Sequence, residues 1–298
     1  MTITKSASQP PGSAAMRLGV TARTTYVAFE RSILGGLALA TFLLLWEGLV
    51  RGWLAYLMQP ILGGAADALR VKPIFLASPS MIAATAYDML FVTGDLWPHL
   101  GLSAFEFVSA FAIAVMLGIP FGLVAGRYQY LSYAVEPLLA ALNATPQVAV
   151  LPLIVLWMGS GLPARIFIIA LLMIVPILIN AHAAVRTIDA KLLRLARSFS
   201  ASEIQVFRSI ILPAAFPYLL AGVRLAIGRG MIGVVVGEVF GSAVGLGVMI
   251  NHAGSTFKTD RVFVGVVTIV IASLLLSELV RWIERRVEVW RQSAVDVE

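Results

Sequence analysis

Four charged side chains stand in otherwise apolar sequence: Glu106, Arg224, Arg229 and Glu238. A charge carried into hydrocarbon costs about 2.5–3.5 kcal/mol on insertion scales, so each needs a counter-charge, water or a helix end. The carboxylates are suited to relaying protons and the arginines to meeting an anion. The plainer alternatives are ion pairs between spans and, for Arg224 about two turns into its segment, snorkelling to the surface. Asn143, Thr145 and Gln147 surround Pro146, with Pro152 beyond. Proline frees a backbone carbonyl, so these three read either as donors that support a kink or as the lining of a polar pathway. Asn143, Arg229 and Glu238 are the candidate pathway residues.

Other chemistry is missing. His99, His182 and His252 have no second ligand close in sequence, so no metal site is expected. Gly228-Arg-Gly230-Met-Ile-Gly233 matches Gly-x-Gly-x-x-Gly, yet no strand precedes it. Close helix packing in lipid explains these glycines better, as it does Gly233, Gly237 and Gly241 at spacings of four. The chain contains no Gly-Lys for a Walker A loop, no His-Glu-x-x-His and no Gly-x-Ser-x-Gly. With no cysteine, thiolate sites and disulfides are excluded. No catalytic residue and no bound cofactor is therefore expected.

The elements that must hold these residues follow from composition. Of 298 residues 59% are hydrophobic and 13% charged, and mean hydropathy is +0.91. One soluble core cannot enclose so much apolar sequence, which leaves a polytopic membrane protein. The net charge of +6 is scattered between apolar runs, so cationic cytoplasmic loops account for it better than nucleic acid does. Stretches near 20 apolar residues cross a ~30 Å hydrocarbon layer. Six qualify, at about 32–50, 102–125, within 137–158, 166–185, 216–240 and 262–280. The fold class expected is all-α with six transmembrane helices.

The segment after Arg31 is too long for a signal h-region, so it reads as a retained span behind a mobile cytoplasmic tail at 1–31. The six-span domain then occupies 32–283, with a cytoplasmic tail at 284–298. The connection at 55–100 carries Pro60, Pro73, Pro79 and Pro98 and has room for one or two short helices. Both termini are assigned to the cytoplasm. That choice leaves only Arg51, Arg70, Lys72, Arg165, Lys258 and Arg261 outside, with most of the other basic residues inside.

Between the fourth and fifth spans, residues 187–213 read as two short helices. Asp189 caps the first, in which Leu192, Leu195, Ala196 and Phe199 make one apolar face while Lys191, Arg194 and Arg197 lie away from it. Ser202 and Gln205 form a capping box for the second, with Ile204, Phe207 and Ile211 as its apolar face. Pro213 ends that helix or kinks it into the next span. Apolar faces outside hydrocarbon must be covered by lipid headgroups, by the spans themselves or by a partner protein.

The run Ala196-Arg197-Ser198-Phe199-Ser200-Ala201-Ser202, followed by Phe207-Arg208 and Leu212-Pro213, resembles the EAA loop of permease subunits of binding-protein-dependent ABC importers. Pro213-Ala-Ala-Phe-Pro217, Gly222-Val-Arg-Leu-Ala-Ile-Gly228, Gly237-Glu238 and Gly245-Leu-Gly247 are similar to its continuation in the branch that imports nitrate, sulfonates and taurine. So are Leu76-Ala-Ser-Pro-Ser80, Pro146, Pro152-Leu153 and Trp157-Met-Gly159-Ser-Gly161. The resemblance implies a type I importer permease of the inner membrane. It implies a second copy of the chain, two ATP-binding cassette subunits that use the ATP, and an extracytoplasmic solute-binding protein. The ATPase-coupling residues would be Arg194, Ala196, Arg197, Phe199, Ser200, Ala201, Ser202, Phe207, Leu212 and Pro213. Three positions depart from the family's pattern: its leading Glu falls at Arg194, its first Ala at Leu195 and its turn glycine at Ser200. A left-handed Ser200 costs on the order of 1 kcal/mol relative to glycine. The alternative from another class is a secondary transporter in which Glu106 or Glu238 relays protons.

Overall fold

A computed structural model describes residues 33–63, 71 and 74–295, the side chains of 54, 62 and 287–295 excepted. The tail expected at 1–31 lies outside the described residues. Every regular element among the described residues is helical. Helix α1 is Ile33–Arg51, and α2 and α3, in the connection expected to hold short helices, are Trp53–Leu62 and Pro79–Tyr87. The spans α4 (Leu96–Arg127), α7 (Leu162–Arg186), α10 (Leu212–Gly241) and α12 (Thr259–Val295) follow. Between them lie α5 (Gln129–Ala144), α6 (Leu151–Met158), α8 (Ala190–Ser198), α9 (Glu203–Val206) and α11 (Leu246–Ser255). Among the described residues five helices are long and apolar enough to cross a membrane, or six if α5 and the 147–158 segment count as one broken span. Helix α12 continues through residue 284, where a tail was expected to begin.

The chain divides into two units, the first ending at Met81 and the second beginning at Ile82. In the first, Glu47 on α1 accepts from Ser80 N–H at 3.0 Å and from its hydroxyl at 2.6 Å. The charge in the first span therefore satisfies an orphan donor in the first turn of α3.

In the second unit α7 is the central helix, with α4 and α10 along it and α5 and α6 beside it. Its neighbours come close because they present glycine. A Cβ added at Gly122 would lie 2.5 Å from Ala181 Cβ, and one at Gly126 2.6 Å from His182 O. On α10, a Cβ added at Gly233 would lie 2.9 Å from Leu172 of α7 and one at Gly241 2.7 Å from Ser160 O, while Gly237 keeps ordinary clearance. With no hydrophobic drive between helices in lipid, such backbone approach gives the dispersion contact that holds spans together.

The third span is broken where a kink was expected: α5 and the 147–158 segment diverge by 86°. Thr145, restricted by the following proline, is extended, and a 3-10 turn at Gln147–Val150 leads into α6. Thr145 Oγ1 donates to Ala141 O at 2.8 Å and Gln147 Nε2 to Leu142 O at 3.3 Å, which supplies donors to the end of α5.

Candidate functional site

The 187–213 segment forms an elbow fixed at each joint by its own sequence. Asp189 caps α8 by accepting from Lys191 N–H at 2.8 Å, and the Ser202–Gln205 capping box opens α9. Between them Ser200 is left-handed, φ 55°. Ala201 N–H donates back to Ala196 O at 3.1 Å and Ser200 N–H to Arg197 O at 2.9 Å, the paired bonds of a Schellman stop. The turn thus keeps the left-handed geometry that glycine would supply, with serine in it.

The elbow has two faces. Inward, Val206 and Ile211 are buried with Ala181, Ala184, Val185 and Leu123, and Leu193, Ala196, Ala201 and Phe207 pack on that cluster. Arg127 at the end of α4 donates to Glu203 at 2.7 Å. Outward, Leu192, Leu195, Phe199 and Ile204 are 50%, 55%, 78% and 68% exposed, and Arg194 and Arg197 are exposed beside them. The face read from periodicity is therefore split: Ala196 turns in, and Leu192, Leu195 and Phe199 turn out. Leu212 and Pro213 are also exposed at the start of α10. Pro213 does not end the helix, because a π turn at Phe207–Ile211 precedes it and the chain runs helical from Glu203 to Gly241.

The span charges sort into separate places. Arg229 donates to Asn143 Oδ1 at 3.1 Å, joining α10 to the last turn of α5 just before the break. Arg224 pairs with Glu284 on α12, both side chains about a third exposed. Glu238 is fully buried, apart from Arg229 and Asn143: it accepts from Ser103 Oγ at 2.5 Å and from Gly247 N–H at 2.6 Å. Ser103 in turn accepts from Leu246 N–H at 2.9 Å, so the two side chains receive the first orphan donors of α11. Glu106, also fully buried, is met by Arg165. His182, on α7, lies 2.8 Å from Ser132 Oγ in a buried polar joint with α5.

Sequence reading missed Arg165, which it placed outside among the loop residues. Its signal was position: Gly161-Leu-Pro-Ala precedes it, a helix start that puts it in the first turn of α7.

Apolar helices around a central α7, with a short amphipathic elbow between α7 and α10 whose outer face is left exposed, define a multi-pass membrane protein. The chain belongs to the family described as binding-protein-dependent transport system inner membrane component, which matches residues 118–289, more than half its length. It is 33% identical over 250 residues to the putative aliphatic sulfonates transport permease protein SsuC of Bacillus subtilis (strain 168), covering 81% of this chain and 89% of that one. It is 32% identical over 224 residues to the taurine transport system permease protein TauC of Escherichia coli (strain K12), covering 74% and 82%. To the riboflavin transport system permease protein RibX of Chloroflexus aurantiacus it is 35% identical over 230 residues, covering 77% and 85%. An inward-facing structure of the MetNI methionine ABC transporter shares the fold, with TM-score 0.56 and 22% identity over 67% of this chain and 97% of that one. The chain is thus a multi-pass inner-membrane permease of the ABC importer class, and the ion-gradient alternative gives way to that membership.

Proposed function

We propose that this permease forms half of a translocation pathway for a small organic anion, and that its elbow couples the pathway to a separate cytoplasmic ATPase. Two copies of the chain would act with two ATPase subunits and an extracytoplasmic solute-binding protein, with both termini in the cytoplasm. The permease itself binds no ATP. The carrying observation is the outward face of the elbow: four large apolar side chains stand exposed on a turn whose inner face is packed onto α4, α7 and α10. A partner seated on Leu192, Leu195, Phe199 and Ile204 would push on the spans through Val206, Ile211 and the Arg127–Glu203 pair. Closure of an ATPase pair would then be transmitted as rigid-body motion of the bundle.

Anion selectivity is supported by the sulfonate and taurine systems to which two relatives' names assign them, and by Arg229. That arginine is partly exposed on α10, and its one hydrogen-bond partner among the described residues, Asn143, is neutral. A partly exposed arginine in a span is costly against lipid and favourable beside a water-filled path that carries anions.

The test is reconstitution with the ATPase and the binding protein. Phe199→Asp is expected to abolish binding-protein-stimulated ATP hydrolysis while membrane insertion is unchanged, since it places a charge in an apolar contact. Full stimulation in that variant would overturn the coupling role.

A further inference from the structure

A cavity of about 660 Å³ opens at the end of the second unit remote from the elbow, between the turn before α4 and the joint of α11 with α12. Its lining carries His99, His252, Lys258 and Arg261, with Asp95 as the acid among them. Met89, Met249 and Ala253, all buried, give it an apolar floor. Among the described residues neither Lys258 nor Arg261 has a side-chain hydrogen bond or an ion pair. Asp260, next to Arg261 in sequence, is turned away to accept from Thr85 Oγ1 at 2.8 Å.

The backbone holds this arrangement at a cost. Phe257 is left-handed, φ 56°, and with Ser200 makes up the non-glycine residues of positive φ among those described. A bulky side chain in that region is an outlier that costs on the order of 1–3 kcal/mol and persists only where its surroundings impose it. Lys258 N–H closes back on Ala253 O at 2.9 Å and Phe257 N–H on Gly254 O at 3.2 Å, so a Schellman stop ends α11. That stop places Lys258, the next residue, on the cavity wall. One strained turn sits in the elbow and the other beside a cavity lined with unpaired cations.

We propose that this cavity binds a small organic anion: one sulfonate or carboxylate head on a short apolar body. The head fits Lys258 and Arg261, whose field is focused by low-dielectric walls, and the body fits the floor of Met89, Met249 and Ala253. In the proposed orientation the site faces outward and serves as the first station of the pathway. The inference rests on the organic-anion reading of the solute.

Equilibrium dialysis of radiolabelled 1-butanesulfonate against the full-length permease in phosphatidylcholine nanodiscs, with no binding protein or ATPase present, tests it. Saturable binding is expected, weakened at least about tenfold in Lys258→Gln/Arg261→Gln, with 1-butanol failing to compete. Should the double variant fail to insert, each single variant is expected to weaken binding and to flatten its dependence on salt. No saturable binding, or binding equal in wild type and variants, would overturn the proposal. So would displacement of the sulfonate when phosphatidylglycerol is added to the nanodisc, which would assign the cations to lipid headgroups. Loss of this binding with coupled uptake of the sulfonate intact removes the cavity's role alone, whereas a complete transporter that takes up no sulfonate removes the organic-anion reading itself.

Discussion

Arg165 reaches from the first turn of α7 to Glu106 in α4, Nε to Oε1 2.7 Å, and its other arm donates to Gly241 O at the end of α10 at 2.5 Å. One guanidinium thus ties three spans at the end remote from the elbow. Removing one partner of a buried pair strands the other charge, at a cost of about 3–5 kcal/mol, whereas replacing both with apolar groups is often neutral. Thermal unfolding of the purified permease should show a large loss for Arg165→Met and recovery of most of it in Glu106→Leu/Arg165→Met. Equal destabilisation in the two variants would mean that the pair is not what holds the joint.

The glycines of α4 and α10 predict a graded series. Gly122→Leu and Gly126→Leu should lower the melting temperature strongly or prevent folding, because their side chains would enter Ala181 and the backbone of α7. Gly228→Ala should stay within about 0.5 kcal/mol of wild type, since nothing lies within 4 Å of the added carbon. Comparable losses in all three would count against close approach as the reason for these glycines.

Ser200→Gly should slow hydrogen exchange across α8 and α9 by about fivefold, the equivalent of about 1 kcal/mol of relieved left-handed strain, and leave transport intact. Ser200→Val should do the reverse, opening the elbow and reducing coupled ATP hydrolysis.

Arg229→Ala is expected to reduce uptake of anionic solute at least about tenfold in reconstituted vesicles, with Arg229→Lys retaining part of it because the charge remains. Asn143→Ala should weaken uptake less, since it removes only the group that orients the guanidinium. Undiminished uptake in Arg229→Ala would exclude this arginine from the pathway.

The spans and the elbow were legible in the sequence, and for physical reasons. Hydrocarbon thickness fixes how much apolar chain a crossing needs, and caps such as Asp189 and the Ser202–Gln205 box act through neighbours two or three residues away. The pairing of span charges was not legible. Arg165–Glu106, Arg224–Glu284 and Ser103–Glu238 are each decided by which helices lie side by side, and partners 59, 60 and 135 residues apart leave no local trace. Nor did periodicity say which apolar residues of α8 turn outward, because Leu192 and Leu193 are adjacent and only the packing against Val185 and Ile211 chooses between them. The third span's 86° break was half visible: Pro146 announced a disruption but not its size.

The central claim, that the outward face of the elbow seats in an ATPase, is tested most directly by a single thiol. The chain has no cysteine, so Leu192→Cys carries the only one, at a position 50% exposed. Its rate of maleimide labelling should be fast in the permease alone and fall at least about tenfold when the ATPase subunit is added. An unchanged rate in a complex that hydrolyses ATP in response to the binding protein would contradict the account.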